Sequence, residues 1–138
     1  MEDKETLNEA RIRAAKEFLG GYRICEELLG IQKYTRRRAR LIEEEVQLEE
    51  LFAGNEAYWR MRMYEVENMI ASMANGREKI LLYYRYIKGE SVEHVSDLLG
   101  FSRRTGYRLL GRGLLSVGRR LERMGKIKKE DFAEKKGE

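Results

Sequence analysis

Apolar residues recur at intervals of three, four and seven along nearly the whole chain, the period of an amphipathic α-helix. No segment alternates apolar and polar positions between turn residues, and proline is absent, so the predicted fold class is all-α. Thr6-Leu7-Asn8-Glu9 has capping-box spacing and opens a first helix whose stripe is Ala10, Ala14, Phe18, Cys25 and Leu28. Gly20-Gly21 is read as a bend and Gly30 as the stop, after a last turn near Leu29. A second helix carries Ile31, Tyr34, Leu41, Leu48 and Phe52 as far as Ala53-Gly54. Asn55 then caps a third, in which Trp59, Met63, Val66, Ile70 and Met73 alternate four and three apart, the spacing of a coiled-coil seam. Residues 1–74 therefore read as a helical hairpin or bundle for oligomerisation or partner binding.

The second half is punctuated differently. Asn75-Gly76-Arg77-Glu78 caps a support helix with Ile80, Tyr83, Tyr84 and Ile87 as its buried stripe, and Gly89 closes it. Ser91 caps a short helix with Glu93 in its first turn and Val95, Leu98 and Leu99 facing inward; Gly100 ends it and Ser102 caps the next. Helix, link, short helix, glycine turn, helix is helix-turn-helix spacing, which assigns residues 75–125 to a DNA-binding domain and 126–138 to a charged tail. In the last helix Gly106, Leu109, Leu110, Gly113, Leu114, Val117 and Leu121 share one sector, opposite Arg103, Arg104, Thr105, Tyr107, Arg108 and Arg112. Gly106, Gly111, Gly113 and Gly118 each cost about 1 kcal/mol relative to alanine, so packing or DNA must hold this helix. Gly106 and Gly113 are expected on the packed face, and Gly111 and Gly118 nearer the polar one.

Charge sharpens the picture. Between Ser102 and Lys129 stand ten Lys/Arg and one acid, a local +9 that leaves −5 for the remainder of a chain whose net charge is +4. Arg103 and Arg104 open a helix at its positive dipole end, where carboxylates are favoured, so the balancing anion is expected from outside. Double-stranded DNA supplies it when a helix enters the major groove amino end first. Ser102, Arg103, Arg104, Thr105, Tyr107, Arg108, Arg112, Arg119 and Arg120 form the candidate DNA-binding set. Arg103, Arg104 and Arg108 suit guanine edges, Thr105 and Tyr107 a phosphate or thymine methyl, and Arg112, Arg119 and Arg120 phosphates. The run Arg36-Arg37-Arg38-Ala39-Arg40 before Glu43-Glu44-Glu45 reads as a charged helix face, with a second phosphate contact as the alternative. One histidine, His94, and one cysteine, Cys25, are too few for cysteine-based zinc sites or disulfide frameworks. No phosphate loop, nucleophile–base pair or spaced ligand set appears, so no enzyme, catalytic residue, metal or cofactor is expected. The polar, acidic start and the lack of ~18 consecutive apolar residues predict a cytoplasmic protein with no membrane contact.

Residues 80–114, ILLYYRYIKGESVEHVSDLLGFSRRTGYRLLGRGLL, resemble the region-four helix-turn-helix of bacterial sigma factors. The matching pieces are RYIKG at the end of the support helix, SVEHVSDLLG and FSRRTGYRLL. The whole chain resembles small sigma-region-four-like transcriptional regulators encoded by phages and prophages of Gram-positive bacteria. Gly106 departs from such modules, which usually carry a branched apolar residue there, and no promoter-melting region precedes the module. The resemblance implies a sequence-specific transcriptional regulator; the spacing of the amino-terminal helices suits packing within the chain or against a second copy as a homodimer, so that half would set the oligomeric state or contact RNA polymerase. The alternatives are a minimal or split sigma-like subunit, or a small terminase-like packaging protein.

Overall fold

The computed structural model describes the backbone of residues 2–41 and 45–127 and, within these, the side chains outside residues 2–5, 36, 39–41 and 45–54. All of its regular structure is helical: α1 (Glu2–Leu41), α2 (Glu45–Ala71), α3 (Gly76–Leu82) running on into a π-helical turn (Tyr83–Ile87), α4 (Val92–Leu99) and α5 (Arg103–Arg123). No helix among the described residues is long and apolar enough to cross a membrane.

Where three helices were expected before residue 74, two are found. Gly30 and Ala53-Gly54 stop nothing; α1 runs through Gly20, Gly21 and Gly30 for 40 residues, about 60 Å at 1.5 Å per residue. A glycine ends a helix by turning left-handed, and among the described residues only Gly89, Gly100 and Gly125 have positive φ. An interior glycine costs about 1 kcal/mol, less than a lost turn of contact with a neighbouring helix. Because α1 keeps its phase past Gly30, Ile31 and Tyr34 fall on the outside and Gln32 is buried instead, reversing the expected stripe. The side chains of Leu41, Leu48 and Phe52, also placed on that stripe, lie outside the described residues.

Packing is organised around α1, which contacts α2 along a hairpin and α5 near its own amino end. Ala15, Phe18, Leu19 and Tyr22 of α1, Val66, Met69, Ile70 and Met73 of α2, Leu82 of α3, and Leu114, Val117 and Leu121 of α5 form one core. That core spans the position where the sequence divides the chain at residues 74 and 75. A second, smaller core joins Leu81, Val95 and Leu109, flanked by Tyr84, Leu99, Phe101 and Leu110. Two further expectations shift by one position. Ile80 and Tyr83 are exposed while Leu81 and Leu82 are buried, because α3 is covered from the α4 and α5 side. Leu98 is exposed, since the inward arc of α4 is filled by Val92, Val95 and Ser96.

Candidate nucleic-acid interface

The turn between α4 and α5 sets the geometry. Ser91 caps α4 by accepting from the His94 amide at 3.1 Å. At the other end Gly100 adopts φ 75°, and the Phe101 amide returns to the Ser96 carbonyl at 2.8 Å, closing a Schellman-type stop. Phe101 tucks into the small core, with the Arg77 guanidinium 5.6 Å from its ring centre. Ser102 then caps α5, accepting from the Thr105 amide at 3.1 Å and donating to the Thr105 hydroxyl at 2.9 Å.

The two helices cross at Ser96 and Gly106. A Cβ on Gly106 would sit 1.9 Å from Ser96 Oγ, and that hydroxyl already donates to the Val92 carbonyl at 2.7 Å. The glycine at 106 is thus matched to a wholly buried serine, which explains why no branched residue stands there. Gly113 faces Leu82 as expected. Gly118, expected nearer the polar face, is buried: its missing Cβ would lie 2.3 Å from the Arg11 carbonyl oxygen, so α1 and α5 touch backbone to backbone. Beside this contact Arg11 Nη2 donates to Glu122 Oε1 at 3.1 Å, and its Nε donates to the other carboxylate oxygen. Hydrogen bonding from Arg11 holds the Glu122 carboxyl below its usual range.

With these contacts fixed, the solvent side of α5 is set. Arg103, Arg104, Tyr107, Arg108, Arg112, Arg119 and Arg123 are exposed. At 100° per residue, Arg104, Arg108, Arg112, Arg119 and Arg123 form a column along one side of the helix, about 28 Å long. Arg104, Arg108 and Arg112 have no ion-pair partner among the described residues, whereas Arg103 stands 3.9 Å from Asp97. Leu115, half-buried, interrupts the column between Arg112 and Arg119.

Four members of the predicted set are engaged elsewhere. The Ser102 and Thr105 hydroxyls belong to the cap. The Tyr107 hydroxyl donates to the Glu93 carboxylate across the α4–α5 junction; this bond holds the Glu93 carboxyl low and raises the Tyr107 phenol. Arg120 lies at the edge of α5 next to its packed side, about 60° round from Arg123, where Nη1 donates to Ser72 Oγ at the end of α2.

Other cations join the site from segments that sequence spacing could not connect. A cleft of about 340 Å³ beside Tyr107 is lined by Lys16 of α1, Arg85 of the π turn, and Ser91 and Glu93 of α4. Arg77, on Phe101, stands next to the start of α5. Lys16 is far away in sequence and becomes a neighbour only because α1 packs on α5. Arg37 and Arg38 are exposed on the far part of α1, whereas α5 meets the near part; the side chains of Arg36 and Arg40 lie outside the described residues. His94 is an exposed side chain 3.6 Å from Glu90. Among the described residues no group of three or more His, Cys, Asp or Glu could hold a metal ion. Comparison with protein-family models, with curated proteins and with solved structures finds no match to this chain.

Proposed function

We propose that the chain is a sequence-specific DNA-binding regulator of transcription. In this reading α3, α4 and α5 form a sigma-region-four-like helix-turn-helix that lays the start of α5 in the major groove. The observation that carries it is the arginine column on α5, exposed and without internal carboxylate partners from Arg104 to Arg112. A solvated charged face is normally mixed in sign, and this one is not. The groove is about 12 Å wide, so the first three turns of α5 fill it and Arg104 and Arg108 reach base edges. Arg112, Arg119 and Arg123 lie further along the same side and meet phosphates, with Arg77, Arg85 and Lys16 on the flanks. Resemblance of residues 80–114 to sigma region four supports a promoter-linked role, with RNA polymerase as the second partner.

Genome-wide binding-site selection followed by titration on one selected duplex and one random duplex tests this. Three to five neutralised phosphates give a slope of log K against log salt of about −3 to −5. Arg104→Ala is expected to narrow the preference for the selected duplex by about tenfold, from a contact worth about 1–3 kcal/mol. Equal affinity of the unaltered chain for both duplexes, or a flat salt response, refutes the reading.

A further inference from the structure

The polar side of α5 has two edges, and acids of α4 meet one of them. Arg103 and Tyr107 stand one turn apart on the edge nearest α4, about 100° round the helix from Arg104 and Arg108 respectively. Each meets a carboxylate. Asp97 Oδ2 lies 3.9 Å from Arg103 Nη2, and Glu93 accepts from the Tyr107 hydroxyl. Glu93 and Asp97 are also one turn apart on α4, so the two pairs form consecutive rungs across the junction. Arg104, Arg108 and Arg112, on the other edge, face no acid among the described residues.

The negative charge at the start of α5 thus comes from its neighbour. The α4 helix carries two acids and no Lys or Arg, while the one acid within α5, Glu122, is bound by Arg11. The side chains of Arg103 and Asp97 are 67% and 64% exposed, and a pair this exposed adds little to stability. Its consequence is for what approaches from solvent.

We propose that Glu93 and Asp97 set sequence specificity: they withhold Tyr107 and Arg103 from phosphates and thereby weaken binding to random duplex more than to the target. The inference rests on the DNA-binding reading given above. Random duplex is held through its phosphates alone, so it shifts on the protein toward whatever cations are open. A target duplex is fixed by base contacts at Arg104 and Arg108 and cannot roll toward Arg103 without giving them up. A carboxylate beside Arg103 therefore opposes the random pose and leaves the target pose largely as it was, which is how a repulsive element separates two partners. Asp97 carries the larger share. Glu93 shares its cleft with Lys16 and Arg85, which offset its charge, and Tyr107 has no charge to release.

The test compares Asp97→Asn and Glu93→Gln, which keep shape and remove charge, with the unaltered full chain on one selected and one random duplex over a range of salt. One added phosphate contact steepens the slope of log K against log salt by about 0.9, or about eightfold in affinity at about 0.1 M salt. Asp97→Asn is expected to bind random duplex about eightfold tighter, with the slope steeper by about 0.9, and to change affinity for the selected duplex by less than about twofold. Glu93→Gln is expected to act in the same direction and less, and serves where Asp97→Asn loses helicity. Combined with Arg103→Ala, Asp97→Asn is expected to lose its slope change, which a purely structural effect of residue 97 would keep. Random-duplex affinity that is unchanged or lower, an equal gain on both duplexes, or a slope change that survives Arg103→Ala overturns the proposal and leaves the DNA reading standing. No preference between the duplexes in the unaltered chain overturns the DNA reading, and this inference with it.

Discussion

Two glycines seven residues apart in α5 are expected to respond in opposite directions to the same substitution. At Gly111 an added Cβ meets nothing within 4 Å, so Gly111→Ala receives the full helix-propensity gain, about 1 kcal/mol. At Gly118 the same methyl would lie 2.3 Å from the Arg11 carbonyl oxygen, 2.6 Å from its carbon and 2.7 Å from its Cβ. Two of these atoms are backbone in the middle of a turn of α1, so no side-chain rotation relieves the clash. The helices must part by about 1 Å, which loosens the Arg11–Glu122 pair and the packing of Ala15 and Leu19 on Val117 and Leu121. Overpacking of this kind costs typically 1–3 kcal/mol and sometimes more. Taking the upper end and subtracting the propensity gain leaves Gly118→Ala about 2 kcal/mol less stable than the unaltered chain. The two variants should then differ by about 3 kcal/mol, or about 1–3 M in urea midpoint for a slope of 1–3 kcal/mol/M. Urea unfolding followed by far-ultraviolet circular dichroism measures this directly. If Gly118→Ala shifts the midpoint upward alongside Gly111→Ala, α1 does not cross α5 at that point.

The two neighbouring arginines near the end of α5 should separate by function. Arg119→Ala is expected to weaken selected and random duplex alike and reduce the salt slope by about 1, whereas Arg120→Ala, whose guanidinium is held by Ser72, leaves the slope unchanged; anisotropy titrations at several salt concentrations decide it. Acid should weaken the α1–α5 junction. The Glu122 carboxyl is held low by Arg11 in the fold, so its contribution is complete above the ordinary glutamate value of about 4.3 and is lost as pH falls through the lowered folded value. Glu122→Gln is expected to flatten that acid limb of the stability–pH curve while changing stability at neutral pH by no more than about 1 kcal/mol, the scale of a partly exposed pair.

Caps and turns were the legible part of this chain. Asn75, Ser91 and Ser102 each accept the amide bonds that their positions imply, and Gly100 takes the left-handed conformation expected of it. These features are local: a few consecutive residues decide them, whatever packs nearby. Helix ends in the first half were not legible, because Gly30 and Gly54 carry the same local signal as Gly100 and only the contact between α1 and α2 decides that the helices continue. The same non-local cause hides Lys16 and Arg85 beside Tyr107, and sends Arg120 to Ser72 while Arg119 faces solvent. Helical spacing separates the packed from the polar side of α5, but it cannot reveal that a second helix claims one edge of the polar side.

That second helix also resolves the conflict between the glycines of α5 and its role. Taken alone, four glycines in 21 residues would forfeit about 4 kcal/mol of helix propensity. Three of them are sites of close approach: Gly106 to Ser96, Gly113 to Leu82 and Gly118 to Arg11. Each removes a side chain so that another helix can move in and bury Leu109, Leu114, Val117 and Leu121. The apolar faces of α1, α3 and α4 thus impose the helix that the local sequence disfavours, and the opposite side is left to arginine. An arginine-lined helix held in this way depends on α1 for its second half. Loosening the hairpin should therefore displace Arg119 and Arg123, and weaken the phosphate contacts proposed for them, before it disturbs Arg104 and Arg108, which are held by the Ser96–Gly106 crossing and the Ser102 cap.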